Sequence, residues 1–309
     1  MAMIDIRDFS KNYRTLQAVH DLTLAIPEGE VFGLVGSNGA GKTTLLRFLA
    51  TLLEPTRGYA FVNGYNVTVQ VRDVRRCIGY MPDQLGFYPG MRVWEFLDFF
   101  ASSYGIKRWR REALIADLLQ LVDLENKRND PVETLSRGMK QKLGLAKTLV
   151  HDPPVLILDE PASGLDPRAR LEVMEFLREL VAMRKTILIS SHILSELAGL
   201  CTSIGFIEHG RLLASGKLDE VLAKVRTHRI YQLRLTEGAD TAHSILQEDQ
   251  LVFDLETGSN QFRFAFNGNE EQASELLQGL IASGVKVCEM REEMIDLEEA
   301  YFQMTRHRQ

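Results

Sequence analysis

Cysteine is scarce in this 309-residue chain. Cys77, Cys201 and Cys288 lie far apart, match no zinc-ligand spacing and form no disulfide framework, so a reducing compartment is expected. A membrane-spanning run is also missing, since such a helix needs about 20 mostly apolar residues. The best candidate, residues 186–207, is split by Glu196 and made polar by Ser190, Ser191 and His192. No signal peptide is expected, because MAMIDIRDFSKNY carries acids where a charged-then-apolar run would stand. Nor is there excess positive charge: 36 Lys+Arg against 42 Asp+Glu leave −6, which argues against nucleic acid or anionic lipid as the main surface partner. These absences place the chain in the cytoplasm, or at a membrane only through a partner.

What is present is ordinary globular composition, 45% hydrophobic and 25% charged, and enough length for about two domains. Ile4 and Ile6, then Leu22, Leu24 and Ile26, alternate as strands do, and residues 31–35 form a buried apolar strand. A helix is expected over residues 43–53, ended by Pro55, and then strand sequence with Asn63-Gly64 as a turn. Residues 93–150 turn helical, with Leu114, Leu118, Leu121 and Val122 on one face. Apolar runs at 155–158 and 186–189 suit a parallel sheet covered on both faces. Strands alternating with helices make this part α/β.

From residue 226 the texture changes. IYQLRL, VFDLET, QFRFAF and VKVCEM read as strands, and the segments around 241–246 and 270–283 as helices. The order β-α-β-β-α-β predicts a small α+β, ferredoxin-like domain over 226–309, with a last helix at 297–304. The first domain accordingly covers 1–225, with a helical subdomain at about 93–150.

GSNGAGKT at residues 36–43 fits G-x-x-x-x-G-K-[ST] at every fixed position, between a strand and a helix. Gly36, Gly39 and Gly41 let the loop's backbone N–H groups, those of Ser37, Asn38 and Ala40 included, converge on phosphate oxygens without Cβ clashes. The helix start at Lys42, Thr43 and Thr44 adds free donors and a positive dipole end. Lys42 can reach the β- and γ-phosphates, and the Thr43 hydroxyl can hold Mg²⁺. A nucleoside triphosphate is the ligand this loop implies. VLILDE at 155–160 supplies the second element, an apolar strand ending in acids. Adjacent carboxylates repel unless a cation or proton shares the site, so Asp159 is the metal anchor and Glu160 the general base for water.

With these residues in place the chain resembles the nucleotide-binding subunits of ABC transporters over roughly residues 3–222. LSRGMKQK at 135–142 is similar to that family's signature, SGLDP at 163–167 to its D-loop, and SSHIL puts His192 at the switch-histidine position. GFIEHGRLLASG at 205–216 resembles the hairpin that usually follows. The resemblance implies an ABC-type ATPase domain, with a mixed sheet and a helical subdomain. It further implies ATP and Mg²⁺ as ligands, Tyr13 stacked on adenine, and His192 on the γ-phosphate. Ser136, also a fitting helix N-cap, and Gly138 would contact the nucleotide of another subunit. Partners would be a second copy, or a related cassette, in a head-to-tail ATP sandwich, and a polytopic membrane permease subunit. The single cassette with its short C-terminal extension is most similar to subunits serving export-type permeases. Such a chain would sit on the cytoplasmic face of the membrane through the permease. The alternative is a soluble ABC ATPase acting on ribosomes or nucleic acid. Against it, the chain lacks the second cassette, basic linker or inserted coiled coil of those relatives.

Two stretches depart from the family pattern. Arg137 and Met139 replace the signature's first glycine and its glutamine. In GYMPDQLGFYP, aligned without a gap, Asp83 takes the place of the glutamine that touches Mg²⁺ and water, and Gln84 comes one residue late. Asp83 still suits a cation, being a carboxylate. The aromatics Phe87, Tyr88, Trp94, Phe96, Phe99 and Phe100 crowd this region, with Val93, Leu97 and Phe100 on one helix face and Phe96 and Phe99 off it. Lys140 and Lys142 read as a solvated helix face.

Overall fold

The alternating and continuous apolar runs of the first 218 residues become two sheets. The computed structural model describes residues 2–193, 197, 199–225 and 229–293, and the chain divides into units 1–218 and 219–309. In the first sheet β1 (Ala2–Tyr13) pairs antiparallel with β2 (Leu16–Pro27) and β4 (Arg57–Val62), and β5 (Tyr65–Asn66) forms the edge, giving the order β2-β1-β4-β5. The turn before β5 has φ of 50° at Asn63 and 78° at Gly64, the positive values that Asn-Gly hairpins supply.

The second sheet has six strands in the order β10-β9-β3-β8-β7-β6. Five run parallel: β3 (Val31–Val35), β6 (Ile78–Met81), β7 (Val155–Asp159), β8 (Thr186–Ser191) and β9 (Ser203–Glu208). The antiparallel β10 (Arg211–Lys217) closes one side. Every residue of β3, β7 and β8 is buried, as expected for parallel strands covered on both faces. Parallel strands all end on the same edge, so five C-terminal ends converge there, the usual ligand edge of such sheets.

Helix α1 (Lys42–Leu49) buries Leu45, Leu46, Phe48 and Leu49, and Phe48 stacks on Phe9 of β1 with ring centroids 4.1 Å apart. That contact anchors the C-terminal end of the helix. It is shorter than the sequence predicts, because Thr51 turns left-handed at φ 61° well before Pro55. Helix α2 (Val71–Cys77) is not anticipated, being too short to display a period. Helices α3 (Val93–Ser103), α4 (Arg108–Leu121) and α5 (Arg137–Leu149) make up the expected helical segment, and α6 (Pro167–Ala182) follows β7.

Two faces differ from expectation. On α3 the buried residues are Val93, Phe96, Leu97 and Ala101, so Phe96 is core while Phe100 is half-buried. Phe96 packs on Phe87 at 5.2 Å, whereas the exposed Tyr88 and Phe99 pair with each other. On α4 the face turns by one residue onto Ile115, Leu118 and Leu119, leaving Leu114 and Leu121 half-buried.

In the second unit, after α7 (Leu218–Val225), come β11 (Arg229–Glu237), α8 (Ala239–Glu248), β12 (Val252–Thr257), β13 (Gln261–Phe266), α9 (Glu270–Ala282) and β14 (Lys286–Glu293). The sheet order is β12-β13-β11-β14 with all pairs antiparallel, the arrangement of a ferredoxin-like β-α-β-β-α-β unit. Its core gathers Leu233, Leu235, Phe262, Phe264 and Phe266 with Leu246, Leu276 and Leu280 from the helices. The helix expected at 297–304 lies outside the described residues.

Candidate functional site

The phosphate loop leaves the end of β3 and enters α1. Its shape requires glycine at two places. A Cβ at Gly36 would overlap the carbonyl of Ile207, and Gly41 takes φ 109° with the Ala18 carbonyl in the way of any Cβ. The loop is tied down from β9 and its hairpin. The Ser37 hydroxyl donates to Glu208 Oε1 at 2.7 Å, and the N–H of Gly210 donates to the Ala40 carbonyl at 2.9 Å. Asn38 and Gly39 face solvent, while Ala40, Gly41 and Lys42 are buried and Thr43 and Thr44 half-buried.

Lys42 is only 5% exposed, and its ammonium lies among three oxygens. It donates to the carbonyls of Gly36 at 2.6 Å and Ser37 at 3.1 Å, and lies 3.2 Å from Glu160 Oε1. The other carboxylate oxygen of Glu160 is 2.7 Å from His192 Nδ1, at the end of β8. Lysine from the start of α1, and glutamate and histidine from just past the ends of β7 and β8, thus form one chain of contacts. Glu160 holds a left-handed backbone, φ 50°, and its N–H donates to Ser190 Oγ at 3.0 Å. The same Ser190 hydroxyl donates to Asp159 Oδ1 at 2.8 Å.

Asp159 is fully buried. Burial pushes its carboxyl above the usual carboxylate range, opposed by hydrogen bonds from Ser190 and Thr43 and reinforced by the neighbouring charges of Asp83 and Glu160. Its Oδ2 is buried with no hydrogen-bond partner in the structure. An acid so placed, touching the Thr43 hydroxyl and within electrostatic reach of Asp83, is a fitting donor set for a hard divalent cation. Asp83 follows the end of β6 and is exposed, and the nearby Leu85 is wedged against Gly144 of α5.

Ser136 caps α5, accepting from the N–H of Met139 at 3.2 Å, and is exposed. Gly138 packs so closely on Ala169 of α6 that a Cβ would strike it. Tyr13 ends β1 and is 40% exposed; it pairs with Leu16 across a hairpin whose next strand sets the Ala18 carbonyl against Gly41. Lys142 corrects its sequence reading: it is buried and pairs with Glu172 of α6 at 2.8 Å, while Lys140 is half-buried and donates to the Glu133 carbonyl. Sequence reasoning also missed Ser190 and Glu208. Glu208 carries the signal that flagged Asp159, an acid closing an apolar strand. Ser190 carries none.

These strand ends define a P-loop nucleotide-hydrolase cassette. Comparison with known proteins agrees. The family described as ABC transporter matches residues 19–163. The ABC transporter ATP-binding protein NatA of Bacillus subtilis (strain 168) is 36% identical over 244 residues, covering 76% of this chain and 99% of NatA. The Nod factor export ATP-binding protein I of Burkholderia orbicola (strain AU 1054) is 42% identical over 216 residues, covering 70% of this chain and 71% of that protein. A solved ATP binding subunit of an ABC transporter superposes with a TM-score of 0.66 at 32% identity, over 72% of this chain and 92% of that one. The chain belongs to the ATP-binding proteins of ABC transporters, a family of ATP-hydrolysing cassettes. Among its described residues no helix is long and apolar enough to cross a membrane.

Proposed function

We propose that the chain is the ATP-driven motor subunit of an export-type ABC transporter, acting on a separate polytopic permease from the cytoplasmic face. The observation that carries the reading is the contact chain Lys42–Glu160–His192, set across adjacent strand ends beside the phosphate loop. Lys42 binds the β- and γ-phosphates, and the backbone N–H groups of residues 36–44 enclose them. Glu160 accepts the proton of the attacking water, its carboxylate oriented by His192, which also faces the γ-phosphate. Thr43 and Asp159, with Asp83 at the rim, hold Mg²⁺; bound there, the ion supplies charge neutralisation at the phosphates. Tyr13 stacks on the adenine.

Ser136 and the first helical turn of α5, which holds Gly138, offer free N–H groups to an anion. In a head-to-tail pair with a second copy, or with a related cassette, that helix start completes the partner's nucleotide site. ATP then closes the pair, hydrolysis reopens it, and the permease follows. The two domains of this reading are the cassette, 1–225, and an accessory domain, 226–309, that regulates or helps pair the motor. Export is supported by the naming of the Burkholderia relative, whose cargo stays a property of that protein. The test is purification of the chain in mild detergent with identification of what accompanies it. A polytopic membrane protein whose presence raises the ATPase rate is the expected result; ribosomes or nucleic acid in its place would contradict the reading.

A further inference from the structure

Arg137 is the first residue of α5, where the family signature has glycine, and its guanidinium makes contacts no glycine could. Its Nη2 donates to the carbonyl of Ser163 at 3.2 Å. Ser163 in turn donates its N–H to the carbonyl of Glu160 at 3.1 Å. The guanidinium also lies against Gly164, at φ 64°, so that a Cβ there would overlap Nη1, Nη2 and Cζ together. Two hydrogen bonds therefore run from the start of α5 to the backbone of Glu160. They meet a backbone that needs support, because a glutamate at φ 50° is strained and persists only where its surroundings hold it. Ser190 holds its N–H, and Ser163 its carbonyl.

We propose that Arg137 is a positioning residue for Glu160. By gripping the Ser163 carbonyl and covering Gly164, it fixes the turn of residues 160–164 and so the aim of the carboxylate. It also joins that turn to the helix start bearing Ser136 and Gly138. The element that serves a second copy's nucleotide and the base that serves the chain's own nucleotide then move as one piece. The inference rests on the reading of Glu160 as general base. It adds a cause for the departure at position 137: the side chain replaces the freedom of a glycine with a brace.

The test is steady-state ATP hydrolysis by the full-length chain carrying Arg137→Met, Arg137→Ala or Arg137→Lys, with Glu160→Gln alongside. Methionine keeps the apolar stem without a donor, and lysine keeps a donor that can reach a carbonyl. Arg137→Met and Arg137→Ala should each lower kcat about tenfold with KM for ATP within about twofold, because a misaimed base costs the chemical step and not ground-state binding. Arg137→Lys should return to within about threefold of the parent, a rescue that packing alone does not explain. Unchanged kcat in both donor-free variants would overturn the proposal, as would a lysine variant no better than methionine. A loss confined to KM would also overturn it, since the guanidinium would then be touching nucleotide. If Glu160→Gln hydrolyses ATP normally, the base assignment fails and takes the proposal with it; if Glu160→Gln is inactive while Arg137→Met is normal, the proposal fails alone.

Discussion

The two units of this chain treat charge in opposite ways. The first buries Lys42, Lys142, Asp159 and Glu160, three of them at one edge of a parallel sheet. Among the described residues of the second, the buried side chains are apolar or aromatic, while Arg229, Arg234 and Lys286 pair with glutamates near the surface. Taking an ion out of water costs several kcal/mol even when it is paired. A fold that carries such groups together gives up stability for chemistry, and the place where it does so marks the working edge. Among its described residues the second unit makes no such concession.

The largest effect belongs to the second core. Leu280 is fully buried in it, so Leu280→Ala should cost about 2–5 kcal/mol of that unit's stability. ATP affinity should be unchanged, since the nucleotide groups and their apolar support lie in the other unit. Thermal unfolding with and without ATP, together with a nucleotide titration, checks both halves. Lost affinity would mean that the two cores are not independent.

A smaller effect is expected at Asp83, whose charge reaches Asp159. Asp83→Ala should slow hydrolysis about tenfold and weaken its Mg²⁺ dependence, and Asp83→Gln should keep substantial activity. Gln84→Ala should matter little. ATPase rate against Mg²⁺ concentration separates the three, and a severe Gln84→Ala beside a normal Asp83→Ala would show the loop working one residue later.

The smallest shift, in melting temperature, says most about the buried charge. Because burial raises the Asp159 carboxyl above its usual range, its ionised form costs stability at neutral pH, and that cost fades as pH falls through the raised value. Asp159→Asn removes the charge and keeps an oxygen for Ser190. Its melting temperature without nucleotide or Mg²⁺ should therefore equal or exceed the parent's by a few degrees, while Mg²⁺-dependent hydrolysis is lost. A marked drop in melting temperature would show that the buried carboxylate is structural.

Much of this site was legible in sequence because its signals are local. The loop spacing at 36–43, the acids closing the run at 155–160, and the strand and helix textures after residue 226 each occupy one stretch of chain. What escaped depends on sheet order. Ser190 meets Asp159 and Glu160 only because β8 lies beside β7, and Glu208 meets Ser37 only because β9 lies beside β3. Lys142 sits on a helix face that looks solvated until Glu172 arrives from α6. Arg137 reads as a mere departure from the signature until the turn after Glu160 folds under it.

In the proposed mechanism Glu160 is the group on which hydrolysis by this site depends. Glu160→Gln keeps the shape of the side chain and removes its ability to take a proton at neutral pH. ATP binding, ATP hydrolysis and sedimentation should be measured on the same preparation of this variant. The expected result is ATP affinity near that of the parent, hydrolysis reduced by at least about 100-fold, and, with ATP and Mg²⁺, a shift toward twice the monomer mass. Hydrolysis at the parent's rate would contradict the assignment of the strand-end cluster as the hydrolytic centre.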